Sequence, residues 1–429
     1  MLKKLYFIIF WVIVLFPKIN IINVPGVSTG IRLEDILILF IVFLWLIQIG
    51  NKKYKINEKN LKLQKVTKVY VIYIFICIIS TLYGVLNNYI TIGLAIIFFL
   101  RKIEYFLFIY IGYDSIKDIK DSENLEKYFS LTILFHFFVV ILQKTGKIGN
   151  FSTTDIIDST STVLRAYSTF GGPYELGAFL VLLLPMYVFR IIRNEKNKLF
   201  NFIMLTIIFI CVYMTESRTS IILFFTVIAI ILIYFNKNET KKILFIIILS
   251  ISALGMILNL NKIISFLPRF ETVNLNSMYK CIIETWKAND GIEFIKTGNS
   301  IKIYNINNLD LSFAIRVGNC IAIIKSWLNN FILGMGLSFV RVATDCNYVR
   351  LLAETGIIGF LVYLIVIRTV LKNVRNINNI FGDITKIGSY TLLLTAMFID
   401  IFEASKIIMF YWLLVGVSYK VDSLKNRRW

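Results

Sequence analysis

Apolar runs of roughly 16–20 residues return along the whole chain, each about long enough to cross a hydrocarbon core. No other feature restricts the fold as much. A run such as Thr219–Phe235 has too few polar side chains for a water-facing surface, and in lipid its backbone amides are satisfied only within a helix. The runs are blocks of Ile, Leu and Phe without strand-period alternation, which argues against an outer-membrane barrel. Composition agrees, with 57% hydrophobic and only 17% charged residues among 429 and a mean hydropathy of +0.74. The sequence therefore predicts an all-α polytopic integral membrane protein, one membrane domain over residues 1–429.

Twelve crossings are predicted: Leu5–Phe16, Ile36–Ile49, Val69–Leu86, Thr91–Tyr113, Tyr128–Gln143, Glu175–Ile192, Leu199–Thr215, Thr219–Phe235, Ile243–Leu260, Asn347–Ile367, Ile387–Glu403 and Lys406–Ser418. The first is short, and Arg101, Lys102 and Glu104 interrupt the fourth. Lys3 and Lys4 before an apolar run resemble a signal peptide, but no small-residue cleavage site follows, so the run is read as the first helix. With the N-terminus inside, the cytoplasmic segments carry 27 of the 46 basic residues and the short outer loops 7. That asymmetry obeys the positive-inside rule and predicts both termini in the cytoplasm. It also accounts for much of the +20 net charge without a nucleic-acid partner. The lysine run at 51–68 reads as an anchor on anionic membrane lipid.

One connection is out of proportion. About 85 residues, 261–346, separate the ninth and tenth crossings on the outer face, far more than an ordinary loop. Helices are expected at Met278–Ala288 and Ser312–Leu328, the second with Val317, Ile321, Ile324 and Leu328 as its apolar stripe. Ile292–Lys296 and Ile301–Tyr304 flank Gly298-Asn299 as a small hairpin would. The segment is neither Gly/Ser-rich nor strongly charged, so it reads as a folded cap on the membrane domain.

His136, the one histidine, sits mid-span among phenylalanines and reads as a packed, hydrogen-bonded group, since one histidine makes no usual zinc site. The five cysteines lack metal-ligand spacing; a Cys281–Cys320 disulfide is one option for the outer pair. No cofactor is expected. The outer-face arginines carry more chemistry: Arg165 before the sixth span, Arg218 in the turn between the seventh and eighth, Arg316 and Arg341 in the long loop. A single arginine at a membrane end snorkels, but four on one face concentrate a charge that persists at every relevant pH and forks onto phosphate. Arg350 and Glu354, one turn apart, are expected to pair, and Gly356 and Gly359 to let a neighbouring helix come close.

Several pieces, in this order, resemble the O-antigen polymerase and O-antigen ligase superfamily of bacterial envelope glycosyltransferases. They are I-R-L-E-D-I-L-I at 31–38, L-R-K-I-E-Y at 100–105, I-L-Q-K-T-G at 141–146, R-A-Y-S-T-F-G-G-P-Y-E-L-G at 165–177, T-E-S-R-T-S at 215–220, R-V-G-N through L-G-M-G at 316–336, and D-C-N-Y-V-R-L-L-A-E-T-G-I-I-G at 345–359. The resemblance implies a GT-C-type integral membrane fold and metal-independent transfer of glycan from a polyprenyl-pyrophosphate carrier on the outer face. Ligase members have a histidine where this chain has Asp345, so the resemblance favours a polymerase of lipid-linked repeat units for O-antigen, capsule or exopolysaccharide. Lipid-linked donor and acceptor would be its substrates, with a chain-length regulator and a flippase as protein partners.

In that reading Arg218, Arg316 and Arg341 neutralise the departing pyrophosphate, with Arg165 as a weaker fourth, and Asp345 orients or deprotonates the acceptor hydroxyl, Glu175 and Glu216 standing behind it. Asp345 also suits the N-cap of the tenth span. Two alternatives stay open: a ligase-type transferase to another acceptor, and a lipid-linked oligosaccharide flippase, although a transporter would be expected to show short outer loops and internal repeats.

Overall fold

The computed structural model describes residues 2–22, 31–50, 60–149, 151, 165–193, 197–235, 275–288, 311–340 and 346–426. The predicted ninth span and the 292–304 hairpin lie outside these residues. Thirteen helices are described: α1 Leu2–Leu15, α2 Leu33–Gly50, α3 Leu61–Leu86, α4 Ile92–Ser115, α5 Ile119–Lys144, α6 Pro173–Ile192, α7 Lys198–Met214, α8 Arg218–Phe235, α9 Leu275–Ala288, α10 Leu311–Leu328, α11 Asn347–Val374, α12 Ile380–Thr395 and α13 Ser405–Asn426. Among the described residues the sole sheet is an antiparallel ribbon pairing Asn20–Ile22 with Ile31–Arg32.

Five helices, α3, α5, α6, α11 and α13, are long and apolar enough to cross a bilayer, and α7 and α8 are shorter apolar helices. The chain is an all-α, multi-pass membrane protein. Helices apolar all round belong in the middle of such a bundle. Accordingly α6 and α13 are buried along almost their whole length, whereas α3 leaves Val71, Ile72, Phe75 and Leu82 exposed. Glycines set the tightest contact: a Cβ at Gly112 of α4 or Gly416 of α13 would collide with the partner helix's backbone, so the two axes approach as only small residues permit.

Helix ends differ from hydropathy where caps decide. Asn60 accepts the amides of Lys62 and Leu63, starting α3 eight residues before the expected Val69, and Asp118 accepts the Asp121 amide, starting α5 at Ile119. Arg101, Lys102 and Glu104 do not break α4, which is one 24-residue helix. The expected span Ile387–Glu403 is a correction. Asn379 caps α12 through the Gly382 amide at 2.8 Å, the helix ends at Thr395, and the apolar residues 396–404 form turns. Those turns are held by α11: Asn347 donates its amide to the Ala396 carbonyl at 2.8 Å, and its side-chain oxygen accepts the Phe402 amide at 2.6 Å.

Ion pairs sort the helix ends into two sets. Lys18–Glu175 and Lys144–Glu216 join one end of the bundle; Lys62–Asp422, Arg190–Glu126 and Arg193–Asp383 join the other. That is the alternation the span order demands, and the first set is called the Lys18 end below.

Candidate functional site

At the Lys18 end the segment 165–172 lies on the start of α6, and local chemistry explains why it folds there. Gln143, near the end of α5, accepts the amides of Tyr167 and Ser168 at 3.1 and 2.7 Å and donates to the Ser168 carbonyl at 2.9 Å. Ser168 takes a left-handed backbone (φ 52°), and its hydroxyl meets His136 Nδ1 at 2.8 Å, so the lone histidine is a buried, hydrogen-bonded group as expected. The Ala166 amide reaches the Met214 carbonyl of α7 at 3.4 Å. Pro173 opens α6 with its φ already set.

The turn between α7 and α8 meets this segment. Ser217 accepts the Ser220 amide at 3.2 Å, capping α8. A Cβ at Gly177 would collide with the Ser220 side chain, so α8 is seated directly on α6. Arg218 is the first residue of α8, and Glu216, with φ 52°, is ion-paired with Lys144. From the long connection, Arg316 of α10 hydrogen-bonds Tyr174 Oη, and its guanidinium carbon lies 5.0 Å from that ring's centroid. Glu175 is held by Lys18 at 2.7 Å and by the Gly171 amide at 3.3 Å. Five of the predicted residues, Arg165, Arg218, Arg316, Glu175 and Glu216, thus stand around the N-terminus of α6, on sequence pieces up to about 150 residues apart. Arg341 and Asp345 lie outside the described residues, and the N-cap position of α11 is taken by Cys346.

Beside this region runs a buried charge network of which the sequence reading foresaw one pairing only. Arg350 bonds Glu354 at 3.3 Å, as expected, but also Asp400 at 3.0 Å and the Val340 carbonyl at 2.9 Å. Lys102 pairs with Glu403, Arg101 with Asp35 at 3.0 Å, and Arg32 with Glu34 at 3.2 Å. Glu403 sits in the 396–404 connection; burial pushes its carboxyl up, but Lys102 and then Arg350 outweigh burial and hold it below its ordinary range. The available signal was charge inside apolar runs, Arg101 and Lys102 in one and Asp400 and Glu403 in another, which in a membrane calls for partners.

α11 is broken one turn below this network. Gly356 adopts φ 65°, ψ −175°, and the freed carbonyls of Ala353 and Glu354 accept the amides of Met335 and Gly336 at 2.7 and 3.0 Å. The Ile357 amide returns to the Phe331 carbonyl at 3.0 Å. A chain segment rather than a neighbouring helix therefore fills the space at Gly356, because a Cβ there would collide with the Ile332 carbonyl. At Gly359 the neighbour is Ile76 of α3, 3.5 Å from a Cβ. Non-helical backbone at this depth is tolerated because protein surrounds it: residues 334–340 are all buried.

Among the described residues no three His, Cys, Asp or Glu side chains stand together as metal ligands would, and no disulfide links Cys281 to Cys320. The arrangement brings guanidinium-bearing segments to one membrane end, and guanidinium groups fork onto anions; the carboxylates Glu175 and Glu216 there carry lysine partners. No family model matches the chain, and no curated protein is similar enough to it to be called a relative.

Proposed function

We propose that the chain polymerises oligosaccharide repeat units carried on polyprenyl pyrophosphate at the outer face of the bacterial cytoplasmic membrane. In this reading it is a metal-independent glycosyltransferase with twelve crossings, a GT-C-type scaffold and both termini in the cytoplasm. The supporting observation is the gathering of Arg165, Arg218 and Arg316 around the start of α6, at the end of the bundle that positive-inside counting assigns to the outside. A leaving pyrophosphate gains negative charge as the glycosidic bond breaks, and donors fixed beforehand at a membrane surface stabilise that charge more than mobile ones. Arg218, Arg316 and Arg341 are assigned to the pyrophosphate with Arg165 beside them. Asp345 orients or deprotonates the acceptor hydroxyl, since Glu175 and Glu216 are engaged by lysines.

Deleting the gene from its host tests this. High-molecular-weight polysaccharide should vanish while single repeat units accumulate on the lipid carrier in the outer leaflet. Units trapped on the cytoplasmic leaflet would replace the proposal with a flippase; full-length polymer left unattached would replace it with a ligase.

A further inference from the structure

The connection between α8 and α11 carries an apolar surface that no part of the described bundle covers. On α9, Tyr279, Ile282 and Trp286 are 67, 43 and 42% exposed. At about 100° per residue they form one stripe, and the buried Cys281 and Thr285 lie about 95–135° round from it on one side. At the end of α10 and in the turn after it, Leu328, Phe331 and Ile332 are likewise exposed, at 54, 47 and 56%. The two patches sit on elements in direct contact: Lys325 of α10 bonds the Trp286 carbonyl, with its ammonium 5.0 Å from the indole centroid.

The position of that surface follows from α11. Phe331 is bonded to Ile357, ten residues into a helix that starts at Asn347, so at 1.5 Å per residue it lies about 15 Å below the helix's start. Ile358 and Leu361, which follow Ile357 on α11, are exposed, on a helix long and apolar enough to span the bilayer. The apolar patch is therefore continuous with the lipid-facing belt of the membrane domain. Charge fits the same position. Lys280 and Lys287 lie about 105–130° round α9 from the stripe, where long stems carry ammonium groups up to the phosphate level; Glu284 shares that face and leaves it a net positive charge.

We infer that α9 and the turn after α10 lie in the bilayer interface and bind anionic phospholipid, with Tyr279, Ile282 and Trp286 in the upper acyl region and Lys280 and Lys287 on headgroup phosphate. An amphipathic helix of this kind sinks its apolar face only about 5–10 Å, which matches aromatic side chains on a helix that does not span. The consequence is geometric: α10 is tethered at both ends, by Arg316 on Tyr174 and by its C-terminal turn in lipid.

The test uses the full-length protein in vesicles whose acyl chains carry bromine near the headgroup. The chain has six tryptophans, so the emission of Trp286 is taken as the difference between wild type and Trp286→Phe. Should that variant fail to fold, Tyr279→Trp in the native chain supplies an added signal from an exposed position. The expected result is quenching by bromolipid at least about two-fold stronger than by aqueous iodide. Stronger quenching by iodide would place α9 in water, and quenching by neither would mean a protein covers the face; both overturn the inference. For the charge, phosphatidylglycerol vesicles should quench more than phosphatidylcholine vesicles, and Lys280→Glu with Lys287→Glu should remove the difference. Equal quenching of wild type in the two lipids would refute the phosphate contacts.

Discussion

Lys406 and Arg316 show how one membrane end uses cations in two ways. Lys406 is fully buried, and its ammonium bonds the Val14, Phe16 and Thr169 carbonyls. Val14 and Phe16 close α1, whose last carbonyls have no helical partner, so Lys406 acts as a C-cap supplied from α13. Replacing it by Met keeps the bulk but strands those carbonyls. The expected cost is about 1–3 kcal/mol for an unsatisfied buried group, read as a lower melting temperature in detergent; an unchanged melting temperature would refute the capping role. Arg316, by contrast, touches a tyrosine at the edge of the proposed site, and a planar fork there differs from a point charge. Arg316→Lys should impair polymerisation although the charge survives. Arg316→Ala should cost about 2–4 kcal/mol of transition-state stabilisation, roughly 30- to 1,000-fold in rate, measured with lipid-linked repeat units. Wild-type rates in well-folded variants would remove Arg316 from the pyrophosphate site. Sequence spacing made the Arg350–Glu354 pair legible because it is local to one helix turn. It could not show Asp400 as the second partner, or Glu403 as the partner of Lys102, because those contacts span 50 and 301 residues.

Among the elements, hydropathy located apolar cores and misjudged ends. α3, α5 and α11 all run past their apolar stretches into polar turns, since Asn60 and Asp118 cap the first two and a soluble-looking tail costs a helix little once it is nucleated. α12 was displaced for a related reason: Asp383, Thr385 and Lys386 make its first half look polar, yet Asp383 pairs with Arg193 and the Thr385 hydroxyl donates to the Leu414 carbonyl. In α10 the expected stripe is replaced in part, since Leu328 is exposed and the small residues Gly318, Ala322 and Ser326 are buried at four-residue spacing with Ile321 and Ile323. The break in α11 was the least legible feature, because G-I-I-G in an apolar run reads as a packing face. Its glycine is nonetheless the position of highest consequence. φ 65° with ψ −175° is essentially closed to other residues, and the Ile332 carbonyl occupies the space of a side chain. Gly356→Ala should therefore sharply reduce folded yield, seen as aggregation in size-exclusion chromatography. Gly93→Ala, on a helix with open space at the Cβ, should leave the elution profile unchanged. Equal behaviour of the two would show that the backbone break is dispensable.

At the scale of the molecule, the order of apolar runs carried the helical, multi-pass architecture, because it is a one-dimensional signal of a solvent with two boundaries. The site needed three dimensions. I-L-Q-K-T-G, R-A-Y-S-T-F-G-G-P-Y-E-L-G and T-E-S-R-T-S are separate strings in the sequence, and Gln143, Ala166, Gly177 and Ser220 join them into one end of a bundle. The ion pairs then supply an internal check, because Lys62 with Asp422 and Lys18 with Glu175 fall on opposite ends as alternating crossings require. What orients those ends is charge. In the proposed topology the Lys18 end, where Arg316 of α10 meets Tyr174, is outside, and the end that holds Lys62 and Lys425 is cytoplasmic. A reporter fused at Asn289 should therefore signal from outside the cell, and fusions at Asn60 and Arg428 from inside. An inside signal at Asn289 would turn the whole molecule over. The arginines around α6 would then face the cytoplasm, where a polymerase acting on exported repeat units has no substrate, and the proposed function would fall with the topology.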